Sequence, residues 1–237
     1  TAYDKNNKNT PSNFTTVFAK PLVLNQSKTY VLGLDSINTM TYSWYNISEE
    51  HHNKIIKYHN GSDWKDIEFP NGAYSYADID AYIKETLITN GDNDEAISLE
   101  FDLSSFKCLI SIADNYALDL RNSNFGSLIG FEKKVIRETE FGTLIPDITN
   151  SVDTIYIHCD LISDSLVDGS YSDVIYDLST ADLTRSYPFR REPLRVGFSE
   201  VNKHIINSIR IYVTDYANRI INLNNVHTSF TVTLKEI

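Results

Sequence analysis

Cysteine, methionine and tryptophan are scarce in this 237-residue chain, at 2, 1 and 2 copies, and glycine and proline are thin at 9 and 6. Two cysteines cannot staple a fold, so disulfides are not expected to hold it together. So little Gly and Pro excludes a linker-rich or low-complexity chain. No apolar run approaches the ~18 residues that a membrane helix needs, and nothing reads as a signal peptide. Opening on Thr1, the sequence reads as trimmed, processed or a fragment. Basic charge is short as well, with 21 Lys and Arg against 32 Asp and Glu and a formal charge of -11. Non-specific nucleic-acid binding depends on a basic surface, so direct nucleic-acid binding is not expected. Equally missing are a Gly-x-Ser-x-Gly elbow, a phosphate-cradling Gly-rich loop, a zinc-type Cys pair and His-Glu-x-x-His. No catalytic, cofactor or metal residue is therefore assigned, and the chain is not expected to be an enzyme.

What the chain has in abundance is alternation. Ile155, Ile157, Cys159 and Leu161 fall on one side of an extended segment, with Thr154, Tyr156, His158 and Asp160 on the other. That is the pattern of a strand with one dry face. Ile209, Ile211 and Val213 alternate in the same way with Arg210, Tyr212 and Thr214, as do Phe230, Val232 and Leu234 with Ser229, Thr231, Thr233 and Lys235. Cys108 keeps register with Phe106, Ile110 and Ile112, and Cys159 with Ile157. Both thiols are thus expected to be buried and free, which fits assembly inside a cell. Sequons at Asn13, Asn25, Asn46 and Asn60 do not decide the compartment in a chain so rich in Asn.

Further strands are expected over residues 13–19, closed by Lys20-Pro21, and over 96–101, 106–112 and 116–120. Residues 28–46 form an extended segment too long for one average strand. It should bend or pass between two sheets, with Gly33 at a bulge. Asn60-Gly61 between strand-like runs predicts a hairpin. Residues 75–87 predict the one helix, with Tyr76, Ile79, Ile83 and Leu87 on a stripe, Ser75 as N-cap, Asp78 three residues on, and Asn90-Gly91 as the stop. Residues 124–131 read as a tight turn packed into the core. Eight to ten amphipathic strands and one short helix imply an all-β protein, a single jelly-roll sandwich of two antiparallel sheets. The polar residues 1–12 are assigned to a flexible arm and residues 13–237 to one domain.

Two clusters look like chemistry and are better explained without it. Glu49-Glu50-His51-His52 cannot converge on one ion from an extended chain, because neighbours point to opposite faces. The oxygen-rich stretch from Asn90 to Glu95 lacks the Gly and Glu that a calcium loop requires. The 15 Tyr, several on polar strand faces, suit protein interfaces, sugar-binding faces or simply strand formation. Arg185, Arg190, Arg191 and Arg195 form a basic cluster that reads as ordinary surface or subunit-interface ion pairs.

One set of motifs recurs in a familiar order: Tyr42-Ser-Trp-Tyr-Asn-Ile, Pro70-Asn-Gly-Ala-Tyr74 with Asp78-Ile-Asp-Ala-Tyr-Ile, Leu128-Ile-Gly-Phe131, Ile155-Tyr-Ile-His-Cys-Asp-Leu161, Tyr187-Pro-Phe, and Ile209-Arg-Ile-Tyr-Val-Thr-Asp with Arg219 and Leu234-Lys-Glu. In this order they resemble the single jelly-roll minor capsid (penton) proteins of Polinton or Maverick elements and their adintovirus-like relatives. Asn218 departs from that pattern, standing where the Gly of an Asp-x-x-Gly-Arg turn would be expected. The resemblance implies a homopentamer at the fivefold vertices of a virion capsid assembled inside the host cell, beside a double jelly-roll major capsid protein. Trp44, Tyr187, Phe189, Arg190 and Arg191 are the subunit-contact candidates, because aromatic and Arg side chains dominate interface energetics. A carbohydrate- or receptor-binding β-sandwich module is the alternative.

Overall fold

A computed structural model gives the architecture. The structure describes residues 9–40, 44–150, 152–163, 165–167, 170–180 and 188–237. Two strands open the chain, β1 (Asn13–Val23) and β2 (Tyr30–Met40). The middle carries β3 (Ile55–Asn60), β4 (Trp64–Glu68), helix α1 (Tyr76–Thr89), β5 (Ile97–Asp102), β6 (Lys107–Ile112) and β7 (Tyr116–Asp119). Helix α2 (Phe125–Ile129), β8 (Val135–Ile136) and β9 (Glu140–Phe141) complete it. There follow β10 (Thr154–Cys159), β11 (Ser165–Val167), β12 (Ser170–Ser172), β13 (Val174–Ser179) and β14 (Pro188–Arg191). The chain then forms β15 (Ser199–Glu200), β16 (Ile205–Thr214) and β17 (Ser229–Glu236). Among the described residues every strand pairing is antiparallel, so the protein is all-β as its alternation predicts. The strands outnumber the expected eight to ten because several are pieces of two to four residues, too short to show a period.

Contacts divide the chain into two compact units, Thr1–Trp44 with Val152–Ile237, and Tyr45–Ser151. In the first unit one sheet runs β1-β16-β10-β13. The other is built on β2, with β17 along one edge and β14 and β15 in succession along the opposite edge. Side chains from both sheets share one core: Leu32, Leu34 and Ile37 of β2 with Ile155, Ile157, Cys159, Leu178, Ile211 and Val213. Early strands pair with late ones, β1 with β16 and β2 with β17, as in a jelly-roll sandwich.

Two sequence expectations need adjustment in this unit. Within Tyr30–Met40 the long segment stays in one sheet, beside β17 from Tyr30 to Asn38, and its bulge falls at Asp35, between the pairs Leu34↔Val232 and Ser36↔Thr231, not at Gly33. Gly33 serves a close approach, because a Cβ there would stand 2.5 Å from Val196 Cγ1 and 2.6 Å from the Gly197 carbonyl oxygen. The first strand does not stop at Lys20-Pro21 but runs on to Val23, its register with β16 broken between Val17 and Leu22. Proline is tolerated because β1 lies at the sheet edge.

The second unit holds two sheets, β4-β3-β7-β8 and β5-β6-β9, with α1 against β5. The β3–β4 hairpin turns on Asn60, whose Oδ1 accepts from the N–H groups of Ser62 (3.0 Å) and Asp63 (2.9 Å), with Gly61 at φ 93°. Helix α1 starts at the expected capping box: Ser75 Oγ accepts from Asp78 N, and the Asp78 carboxylate accepts from Ser75 N. Its stripe Ile79, Ile83 and Leu87 is buried. Its mainly aliphatic core has an aromatic centre, Phe69 stacking on Phe125 at 5.2 Å and lying 4.9 Å from Tyr82. Residues 124–131, expected as a turn, make the short helix α2, closed by Gly130 at φ 77°. A single buried helical turn has too few residues to display a 3.6-residue period.

Candidate functional site

The polar face of the first sheet is where the chemistry-bearing residues gather. Pairing His158 with Tyr212 sets β10 against β16. On the other flank a bulge leaves Ile175 without a partner between the pairs Ile157↔Tyr176 and His158↔Val174. That irregularity brings Asp173, the residue before β13, up to the His158 ring. Its carboxylate Oδ1 lies 2.7 Å from His158 Nδ1, and Oδ2 accepts from the Tyr212 hydroxyl at 2.9 Å. His158 Nε2 lies 2.9 Å from Thr214 Oγ1. A carboxylate only accepts, so Nδ1 carries a proton, and in the neutral ring Nε2 accepts from the Thr214 hydroxyl. The His158 and Tyr212 rings stack at 4.3 Å and 7°, and the Arg210 guanidinium sits 4.6 Å from the Tyr212 centroid. Burial, then the Asp173 hydrogen bond and charge, push the Tyr212 hydroxyl up to about 12.

An Asp-His-hydroxyl series has the connectivity of a nucleophile relay. Thr214, however, is only 1% exposed and His158 only 5%. The hydroxyl is therefore not presented to a substrate, and the series braces three neighbouring strands. Above it opens a concavity of about 510 Å³ whose wall includes Tyr156, Ser163, Ser172, Tyr216 and Asn218. The 215–219 turn is locked by Asp215: Oδ1 accepts from Ala217 N and Arg219 N, both at 2.9 Å, and Oδ2 pairs with Arg219 at 2.7 Å. Asn218 takes φ 58°, the expected left-handed conformation that Gly adopts most easily. The alternation put His158, Tyr212 and Thr214 on the polar face. Only the register and the bulge, neither visible in sequence, bring Asp173 among them.

The contact candidates lie elsewhere. Trp44 is half-buried and packs against the core of the first unit. Phe189, Arg190 and Arg191 lie in β14, paired with Thr39, Asn38 and Ile37 of β2. Arg190 is exposed and pairs with Glu192 at 2.7 Å, and Arg191 is exposed. Tyr187 lies outside the described residues.

Both cysteines are buried and free, as expected, and burial pushes their thiols up to about 12 at Cys108 and about 11 at Cys159. Among the described residues no group of His, Cys, Asp and Glu could hold a metal ion. His51 Nε2 lies 3.1 Å from the Tyr45 carbonyl oxygen. The Asp92 carboxylate is occupied by the Tyr58 hydroxyl (2.6 Å), Lys65 Nζ (2.9 Å) and Asn60 Nδ2 (2.9 Å). No helix among the described residues is long and apolar enough to cross a membrane.

The most conspicuous exposed feature is β1. Its residues from Thr16 to Val23 are exposed without alternation. Val17 is 68% and Val23 70% exposed, with Phe18, Leu22 and the facing Ile205 also open. At its start the strand edge is capped, since the Asn9 side-chain amide donates to Thr15 O (3.2 Å) and accepts from Thr15 N (3.1 Å).

No family model matches the sequence, and no curated protein does. Among solved structures, the chain is similar to the mavirus penton protein, known from a selenomethionine-labelled crystal, at 13% identity and a TM-score of 0.49, over 96% of this chain and 92% of that one.

Proposed function

We propose that this chain is a structural capsid protein of the penton type, without catalytic activity. In this reading it forms homopentamers at icosahedral vertices, beside a double jelly-roll major capsid protein, within a virion assembled inside the host cell. The observation that carries the reading is β1. The long strands β2, β10 and β16 bury residues in the sandwich core, but Val17–Val23 offers apolar side chains on both faces and sits at a sheet edge. Apolar surface on a stable protein of this kind marks a contact that another molecule covers. Identical copies meeting head to tail around a rotation axis would close such a surface in a ring. The ordered motifs from Tyr42 to Glu236 add the resemblance to Polinton and Maverick penton proteins. Lys20 and Pro21 within the strand blunt open-ended pairing, as suits a contact that must stop at a fixed number of copies.

Native mass spectrometry of the purified protein, alone and co-expressed with a double jelly-roll major capsid protein, tests this. A pentamer that dissociates on Val17→Asp with Val23→Asp is expected. A species that stays monomeric in both settings overturns the reading.

A further inference from the structure

We propose that the concavity above His158 is a binding site for a neutral carbohydrate. Its floor is rigid before any ligand arrives: His158, Asp173, Tyr212 and Thr214 hold one another by hydrogen bonds of 2.7 to 2.9 Å. The β13 bulge exists at the one place where it delivers Asp173 to that group, and bulges of this kind recur where a sheet aims a side chain at a ligand. The wall supplies what a sugar needs. Tyr216 stands 61% exposed on a turn whose backbone Asp215 and Arg219 lock in place, and a Tyr ring has only two torsions to order on binding. An aromatic ring covers the C–H face of a pyranose, while convergent polar groups fix its hydroxyls. Here those groups are the side chains of Ser163, Ser172 and Asn218 and the Asp173 carboxylate, which remains 27% exposed after accepting its two internal donors. A carboxylate accepts from sugar hydroxyls and repels a sugar acid, so the site selects neutral over sialylated or sulfated glycans.

Everything needed lies within the first unit, so the site stands whether or not the chain assembles. A printed array of neutral, sialylated and sulfated oligosaccharides, probed with the full chain, is the first experiment, and titration of the best neutral hit against variants is the second. Two substitutions act on exposed positions: Tyr216→Ala removes the platform, and Ser163→Trp fills the mouth. Each should weaken binding at least tenfold while the thermal unfolding curve stays where it was. An array without neutral hits, hits confined to acidic glycans, or binding that survives both substitutions would overturn the proposal.

Discussion

The two units solve the same problem, burying one face of many strands, over very different distances along the chain. In the unit Tyr45–Ser151 the main pairings are between neighbours: β3 with β4 across residues 61–63, and β5 with β6 across residues 103–106. In the sandwich unit the longest strand partnership joins residues 206 positions apart, Tyr30 with Glu236. Local pairs close small loops and form early, while distant ones close only after a large entropy loss. The inserted unit is therefore specified by turns and caps. The sandwich depends on shape fitting between segments that share no local signal.

The sharpest way to break that contrast is to remove the centre of the local unit. Phe69 is fully buried between Phe125 and Tyr82, and Phe69→Ala should cost about 3–5 kcal/mol. Urea unfolding followed by hydrogen exchange at β3, β4 and β7 reads the loss, and a cost under about 1 kcal/mol would mean that this core can collapse onto the gap.

A smaller effect is expected from Gly33→Ala in the sandwich, where the new methyl meets Val196 and the Gly197 carbonyl. Overpacking of this kind costs about 1–3 kcal/mol, and exchange protection of β2 and β17 should fall. A variant as stable as the parent would show that the β14–β15 connection gives way freely.

The mildest test uses acid. Asp119 is held below the ordinary carboxylate range first by its hydrogen bonds with Arg121, against the opposing effect of burial. A group depressed in the folded state adds stability that is complete above the unfolded value of 3.8 and is lost as pH falls through the folded value. Asp119→Asn should lower stability at neutral pH, where the Asp119 contribution is complete, and so flatten the loss of stability as pH falls below 3.8. An unaltered acid limb would assign the sensitivity to other carboxylates.

This contrast also explains how much the sequence reveals. The Asn60-Gly61 hairpin, the Ser75 and Asp78 capping box, and the Asn218 turn each rest on a few adjacent residues. All three are legible because their physics is local. The dry faces of β10, β16 and β17 are legible too, since a period of two needs only one strand. The bulge opposite Ile157, which makes the Asp173 and His158 pair, is a property of two strands together and leaves no mark in either. The continuation of β1 through Pro21 is hidden for another reason. Its residues from Thr16 to Val23 are exposed on both faces, so no period of two marks the strand.

The insertion of one unit between β2 and β10 also sets a timetable. During synthesis at roughly 5–20 residues per second, Tyr45–Ser151 has emerged long before Ser229–Glu236 exists to cover the edge of β2. For roughly ten seconds or more the opening strands wait as uncovered, sticky ribbons on the ribosome. A cell making this protein in bulk would need chaperones during that interval, and slowing translation ahead of residue 229 would lengthen it.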